Sequence, residues 1–254
     1  MAVTIKSDNE IVLMREAGRL LEIVHEELAK AIKPGISTEQ LNQVAEKKIR
    51  KFGCTPNFLN YNGFPASICS SVNDEVVHGI PSSQRILKEG DIISVDTGLI
   101  YKGYHSDAAR TYAVGEISKK TEQLIEVTRQ SFFEGIKYAK AGNHLFDISE
   151  AIGEYAESFG YSVVRDLVGH GIGTRMHEDP QIPNFAQKRR GLRLQPGMTL
   201  AIEPMINEGR AEVCWLDDDW TVVTDDGSLS AHYENTVLIT EGEPEILTLT
   251  HKHG

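Results

Sequence analysis

Two aspartates, Asp96 and Asp107, lie in a stretch whose pattern predicts a β-hairpin. Its strands cover residues 92–99 and 104–114, and Gly103 supplies the turn. In such a hairpin the two carboxylates project from one face as diagonal neighbours, about 7–8 Å apart at Cα, a span that they can close around metal ions. Buried like charges are costly unless a cation lies between them. On the hairpin alone, edge charges are an equally good interpretation.

Segments of the second half of the chain repeat segments of the first half. Residues 33–53 and 140–160 align at a constant offset of 107, and their Lys, Gly, Phe and Gly residues recur in place. This repetition predicts an internal duplication within a single catalytic domain, with halves of about 1–117 and 118–254. We expect two α+β halves whose sheets meet around one central site.

Three further echoes pair chemically similar residues. They match Asp96 with Glu203, Asp107 with Glu234, and His78 with His170. The first match has the same offset of 107, and differences in loop length can absorb the other offsets. Any single echo of this length is weak, but their common order supports the duplication.

The duplication thus selects a set of four acids and one histidine. The set is Asp96, Asp107, His170, Glu203 and Glu234. Four carboxylates are too many anions for an empty pocket, and they suit two divalent cations that share bridging carboxylates. Oxygen-rich ligation indicates manganese, iron or cobalt rather than a structural zinc site built from cysteines. Two such ions can activate a water and polarise a carbonyl.

The elements that must position these residues are predicted from periodicity and caps. Asp8 or Asn9 can cap a long helix that stops at residues 33–35, and Ser37 with Gln40 forms a capping box for a second helix. Two later helices are predicted over about 118–139 and 145–159, and a strand over 67–72.

The turn also sets the register of the hairpin. If Tyr101 faces Tyr104, then Asp96 faces Ala109. This register is what places the two aspartates on one face.

Composition excludes several classes of protein. The formal net charge of −11 argues against a nucleic-acid binder, and the three cysteines lack the spacing of a disulfide framework or a zinc knuckle. No run approaches 18 apolar residues, and the first 18 residues carry no apolar export segment. We expect a cytoplasmic protein without membrane or direct nucleic-acid partners.

The motifs around these residues resemble the metal-ligand signature of the methionine aminopeptidases, in particular the bacterial type I form. Besides Asp96 and Asp107 they are GHGIG (169–173), MHEDP (176–180), AIEP (201–204) and HYENTV (232–237). The resemblance also covers residues 61–81 and 215–231, so it extends over most of the chain. It implies the pita-bread fold, a pseudo-twofold α+β arrangement around a dinuclear metal site.

The resemblance also implies a role for each residue. The ligands of two divalent ions (manganese, iron, cobalt or zinc) are Asp96, Asp107, His170, Glu203 and Glu234. Asp107 and Glu234 bridge the ions, and Glu203 carries the proton from the attacking water to the leaving amine. His177 donates to the scissile carbonyl oxygen and His78 steadies the peptide nitrogen. An isolated histidine is more often structural, and it is the surrounding motifs of His78 and His177 that favour a functional role for them.

The implied pocket for a methionine side chain is apolar, which suits a thioether. Its members are Phe58, Tyr61, Phe64, Cys69, Met176 and Trp220. The alternative is that the aromatic residues Tyr61, Phe64 and Trp220 belong to the hydrophobic core and bind no ligand. The resemblance also implies, less specifically, that Asn73, Glu75 and Ser230 bind a monovalent cation. His232 stands where relatives commonly have Gln, and the residues at Phe58 and Met176 vary among relatives.

The implied function is removal of the initiator methionine from nascent polypeptides whose next residue is small. The expected partners are nascent N-termini, with transient ribosome contact, and the expected state is a monomer. The alternative is an Xaa-Pro aminopeptidase or prolidase of the same fold. Those relatives usually carry a separate N-terminal domain, whereas here one long helix precedes the repeat. Non-catalytic binding proteins of the fold are disfavoured because their ligands decay and basic tails appear.

Overall fold

The computed structural model describes residues 3–249, and their helices begin at side-chain caps. The first helix, α1 (Asp8–Ala31), is capped by Ser7 in a capping box with Glu10. The prediction of Asp8 or Asn9 as the cap is therefore wrong, by one position or two. Asp8 instead lies in the first turn, where its negative charge interacts favourably with the positive end of the helix dipole.

The other three helices start and stop near their predicted bounds. They are α2 (Thr38–Lys51), α3 (Lys119–Ile136) and α4 (Leu145–Ser158). The predicted capping box of Ser37 with Gln40 is confirmed at α2. The helices pack in pairs, α1 on α2 and α3 on α4, and each pair buries its apolar face against the strands.

The strands of the described chain pair antiparallel throughout. In chain order they are β1 (Thr55–Pro56), β2 (Ile68–Val72), β3 (Glu75–Val77), β4 (Ile92–Tyr101), β5 (Tyr104–Ala113), β6 (Ser162–Val163), β7 (Gly169–Gly171), β8 (Glu178–Ile182), β9 (Thr199–Ile202), β10 (Met205–Asn207), β11 (Val213–Trp215), β12 (Val222–Thr224), β13 (Ser230–His232), β14 (Asn235–Leu238) and β15 (Glu245–Ile246). A single turn of 3-10 helix covers Tyr61–Gly63.

Two larger sheets carry the centre of the molecule. One places β4 between β1 and β2 and also pairs it with β5, and the other has the order β15-β14-β9-β7-β8. Two smaller sheets, β13-β10-β6 and β11-β12-β3, flank them. None of the described helices is long and apolar enough to cross a bilayer.

The register predicted for the β4–β5 hairpin is confirmed. Tyr101 pairs with Tyr104 and Asp96 pairs with Ala109. Asp107 pairs with Gly98, so its side chain lies on the same face as that of Asp96.

The offset of 107 is visible in hydrogen bonding as well as in sequence. The Gly35 N–H donates to Leu87 O at 2.8 Å, and the Gly142 N–H donates to Leu194 O at 3.0 Å. Helices α2 and α4 begin and end at positions that differ by the same 107 residues. The correspondence of Asp96 with Glu203 follows this offset. The boundary between halves at residues 117 and 118 stays a prediction.

The two halves meet where β5 runs beside residues 232–236. The Ala109 and Glu234 backbones exchange hydrogen bonds of 3.4 and 2.9 Å. One step along, the Thr236 hydroxyl accepts from the Asp107 N–H at 3.0 Å and donates to Asp107 O at 2.9 Å. We call this contact the central seam.

The same pair of hydrogen bonds recurs on the other side of the seam. The Thr111 hydroxyl accepts from the His232 N–H and donates to His232 O, both at 2.9 Å. The pseudo-twofold rotation therefore exchanges Asp107 with His232 and Ala109 with Glu234. The sequence-based match of Asp107 with Glu234 is wrong, because it misplaced the register by two residues.

The match of His78 with His170 is also wrong. His170 on β7 pairs with Ala201 on β9. The counterpart of Ala201 at offset 107 is Ser94 on β4, and Ser94 pairs with Ser71 on β2. His170 thus occupies the place of Ser71, and His78 lies beyond β3. Of the three matches, only that of Asp96 with Glu203, at offset 107, agrees with the strand pairing.

Candidate metal centre

The four acids and His170 converge on one cavity of about 220 Å³. Asp96 comes from the middle of β4, Asp107 from β5, His170 from β7, and Glu203 and Glu234 from the residues that follow β9 and precede β14. Ligand atoms of Asp107, His170 and Glu234 lie within 4.8 Å of one another. Glu203 joins them through a distance of 3.6 Å between its Oε1 and His170 Nε2.

The carboxylates of this cluster are deprived of water and crowd one another. Burial raises the pKa of Asp96 to about 7. Burial, followed by the charges of neighbouring acids, raises the pKa of Asp107 and of Glu234 well above the usual range, and burial with the Asp96 charge does so for Glu203. The acids would hold protons here unless a cation compensated their charge.

Three carboxylate oxygens of the cluster show whether the site suits divalent cations. Asp96 Oδ1, Asp107 Oδ1 and Glu234 Oε1 are buried and accept no hydrogen bond from the described residues. No Lys or Arg is among the described residues that line the cavity. Unpaired oxygens without a protein cation are what a hard or borderline divalent ion requires, so the residues fit such ions.

His170 is oriented to offer its outer nitrogen to an ion. Its Nδ1 lies 2.9 Å from Gly171 O, so Nδ1 carries the proton and donates. Nε2 is then the free lone pair. Burial first, and then the His177 charge, lower the pKa of His170 to about 3, so the ring is neutral.

His177 lies at the exposed mouth of the cavity, beside His170. The two ring centroids are 4.3 Å apart. The Tyr61 hydroxyl lies 2.7 Å from His177 Nδ1. If the hydroxyl donates, the imidazole proton stays on Nε2, the nitrogen not engaged by Tyr61.

His78 lines another part of the cavity in a conformation that is uncommon for a histidine. Its φ of 61° lies in the left-handed region, where a side chain crowds its own carbonyl. Such positions concentrate at functional sites. Burial lowers the pKa of His78 to about 4, with a smaller contribution from His177, so it is neutral near pH 7.

An apolar slot adjoins the acids. All six residues predicted for a methionine pocket line the cavity and belong to one apolar cluster: Phe58, Tyr61, Phe64, Cys69, Met176 and Trp220. The Phe64 and Trp220 rings meet edge to face with centroids 5.1 Å apart. The site therefore combines a polar end with a sulfur-compatible apolar end.

Asn62 also lines the cavity and was not foreseen. It lies in the 3-10 turn with a φ of 49°. The Asn62-Gly63 dipeptide signals a turn in the sequence, but not where that turn lies in the fold.

The three residues predicted to hold a monovalent cation lie outside the cavity lining. The Ser230 N–H donates to Asn73 O at 2.9 Å, so these two are neighbours. Glu75 accepts from the Val72 N–H at 2.7 Å, and burial raises its pKa. The cation itself stays a prediction.

His232 is buried beside Glu203. Its Nε2 lies 3.8 Å from Glu203 Oε2 and has no hydrogen-bond partner among the described residues. Burial is the largest cause that lowers the pKa of His232 to about 3. The departure from Gln noted in the sequence thus falls directly against an acid of the cluster.

Comparison with known proteins agrees with this geometry. The sequence profile of metallopeptidase family M24 matches residues 12–241. A methionine aminopeptidase of Clostridium acetobutylicum is 57% identical over 247 residues, which are 97% of this chain and 99% of that protein. The crystal structure of a methionine aminopeptidase from Thermotoga maritima superposes with a TM-score of 0.95 at 45% identity, covering 97% of this chain and 99% of that one.

A Xaa-Pro dipeptidase from Bacillus anthracis is more distant. It superposes with a TM-score of 0.79 at 26% identity, covering 98% of this chain and 63% of that one. The α+β pita-bread fold expected from the motifs is confirmed, and divalent metal ions are implied by the family. The chain belongs to metallopeptidase family M24 and, within that family, to the methionine aminopeptidases.

Proposed function

We propose that this protein removes the initiator methionine from nascent polypeptides when the next residue is small. The observation that carries the proposal is a single cavity of about 220 Å³ in which buried acids adjoin an apolar slot. One end is suited to hydrolysis of a peptide bond and the other to a thioether side chain.

Asp96, Asp107, His170, Glu203 and Glu234 are the residues that would hold the two divalent ions, with Asp107 and Glu234 between them. Manganese, iron, cobalt and zinc all suit this mixed carboxylate and imidazole set. Ions bound there would supply positive charge that acidifies a water and polarises a carbonyl. Glu203 would take a proton from the attacking water and return it to the leaving amine.

Two histidines act on the peptide. His177, with Nε2 as donor when Tyr61 engages Nδ1, would donate to the carbonyl oxygen as negative charge develops there. His78 would steady the peptide nitrogen. Loss of water around each ring, even for His177 at the cavity mouth, lowers the pKa of both, so both can work as neutral imidazoles near pH 7.

The surroundings of the substrate are proposals of the same kind. Asn73, Glu75 and Ser230 would bind one monovalent cation outside the cavity lining. We place the enzyme in the cytoplasm as a monomer, with nascent N-termini as substrates and transient ribosome contact. Neither nucleic acid nor a membrane is needed for the proposed reaction.

The alternative, an Xaa-Pro aminopeptidase or prolidase, has weaker support. The 57% identity to a methionine aminopeptidase over nearly all of both chains stands against 26% to a Xaa-Pro dipeptidase, of which this chain covers 63%.

The two functions are separated by parallel assays on a Met-Ala peptide and an Ala-Pro peptide, each with and without chelator. We expect methionine release from the first, abolished by chelator and restored by added manganese or cobalt. A Met-Trp peptide should be cleaved far more slowly. Preferred cleavage of the Ala-Pro peptide, or full activity in chelated protein, would overturn the proposal.

A further inference from the structure

A buried ion pair joins the N-terminal segment to the loop that carries His177. Lys6 Nζ lies 2.7 Å from Glu178 Oε2, and the two side chains are 5% and 2% exposed. The Thr4 hydroxyl donates to the same oxygen at 2.6 Å. Glu178 directly follows His177 in the chain, yet neither Lys6 nor Glu178 lines the cavity.

The other oxygen of Glu178 shapes the loop itself. Glu178 Oε1 accepts a hydrogen bond from the Arg175 N–H at 3.2 Å. At Gly173 an added Cβ would lie 2.5 Å from Lys6 Cε and 2.7 Å from Glu178 Oε1, so the loop closes tightly on the pair. Residues 173–178 therefore have one carboxylate at their centre, and they present Met176 and His177 to the cavity.

The carboxylate of Glu178 is held in its charged form by its partners. Burial alone would raise the pKa of Glu178, but hydrogen bonds from Lys6 and Thr4 bring it below the usual range. Removing one member of such a pair leaves an uncompensated buried charge, which a loop can relieve by moving toward water. The atoms that would move with it include those of His177.

We propose that Lys6 and Thr4 are positioning residues for His177, acting through Glu178. Residues 4–6 serve as a strap that fixes the 173–178 loop. Lys6 touches neither the substrate cavity nor the acids, so its contribution to the reaction passes through the placement of the His177 ring. This inference rests on the proposed function for the role of His177, but the position of the ring can be measured without substrate.

The kinetic test compares five variants with the parent protein on a Met-Ala peptide, with metal content measured for each. Lys6→Met removes the ammonium and keeps the stem, while Thr4→Val removes one hydrogen bond with less risk to folding. His177→Ala and the double variant Lys6→Met/His177→Ala complete a cycle. Lys140→Met, in the exposed ion pair with Glu243, is the matched control.

Misplacing a catalytic group by about 1 Å can cost on the order of 10²-fold. We accordingly expect Lys6→Met to lose roughly 10- to 100-fold in kcat, with unchanged metal content and a smaller change in KM. Thr4→Val should lose less, and Lys140→Met should match the parent. In the His177→Ala background, Lys6→Met should cost almost nothing further. Equal losses with and without His177 would overturn the proposal, because they would show a general structural effect.

The second measurement needs no substrate. The ring ¹⁵N shifts of His177 should change in Lys6→Met and in Thr4→Val, and stay as in the parent in Lys140→Met. Unchanged shifts in the first two variants would overturn the strap. If the parent releases no methionine while these shifts do change, the proposed function fails and the positioning inference stands.

Discussion

The buried acids and His177 differ in their hydrogen-bond partners, and this difference indicates different roles. Three of the four acids have oxygens with no hydrogen-bond partner in the described chain. His177, in contrast, has Nδ1 2.7 Å from a tyrosine hydroxyl and its ring at the exposed mouth. No Lys or Arg among the described residues lines the cavity with these acids, so they are placed to bind cations, while His177 is placed to meet a substrate.

His177→Ala and Glu234→Ala should therefore fail in different ways. Losing a donor to a developing oxyanion costs about 10²–10³ in kcat, so His177→Ala should retain metal and lose turnover, with KM changed much less. Glu234→Ala should lose metal, because a shared ligand is missing. Metal analysis beside steady-state kinetics on both variants checks this.

Asp107→Ala is the matched control for Glu234→Ala, since it removes the other proposed bridging acid. It should also purify with little metal. If His177→Ala purifies without metal or turns over near the parent rate, the role given to His177 is wrong.

Tyr61 offers a finer test of the same histidine. Tyr61→Phe keeps the aromatic wall of the apolar slot and removes only the hydroxyl beside His177 Nδ1. One hydrogen bond has a net worth of about 0.5–1.5 kcal/mol, so we expect kcat to fall roughly 2- to 10-fold with KM nearly unchanged. Tyr138→Phe, on an exposed ring, is the control. A rise in KM alone would assign Tyr61 to binding only.

Sequence predicted the chemistry at the residue scale better than it predicted the symmetry. The acids were found because their types and motifs are distinctive. The pairing of Asp107 with Glu234 was wrong by two residues and that of His78 with His170 by seven, because short echoes fit several registers equally well.

At the scale of elements, local signals determined what the sequence could foresee. The β4–β5 register was predictable because a Gly turn and alternation fix it within ten residues on each side. The cap at Ser7 was missed because Asp8 and Asn9 are equally good caps by residue type. The Lys6–Glu178 pair was invisible because 172 residues separate its members.

The packing of α1 depends on one glycine in its middle. A Cβ at Gly18 would lie 2.1 Å from the backbone oxygen of Leu247, which cannot swing away as a side chain could. Gly18→Ala should lower the free energy of unfolding by about 1–3 kcal/mol as overpacking does, although Ala is the better helix former. Thermal and urea unfolding measure this.

Gly242→Ala is the control for that substitution, because at Gly242 the nearest atom to an added Cβ is the Thr240 hydroxyl at 4.0 Å. Its stability should match the parent. An equally stable Gly18→Ala variant would show that the C-terminal segment yields to α1.

At the scale of the whole molecule, the clustered acids make stability depend on metal. Without ions, their mutual repulsion and burial oppose folding, as the raised pKa values of Asp107, Glu203 and Glu234 indicate. An ion that binds only the native state adds RT ln(1 + [L]/Kd), about 2.7 kcal/mol at a hundredfold excess over Kd. We expect Tm to rise with manganese or cobalt until the site saturates.

Calorimetry of chelated protein titrated with manganese measures that rise. Glu234→Ala is the comparison, and its Tm should respond much less to the ion. An unchanged Tm in the parent at saturating metal would contradict the assignment of these acids as ligands.

The central seam has a consequence for how the chain acquires its activity. Asp107 and Thr236, which join across it, are 129 residues apart in sequence. Closing so long a loop is slow, and native contacts of this kind form after local ones. The helix pairs and the hairpin can form early, but no ion can be captured until the last strands reach the seam. Metal uptake would then mark the last step of folding. In stopped-flow refolding it should lag behind the gain of helical signal.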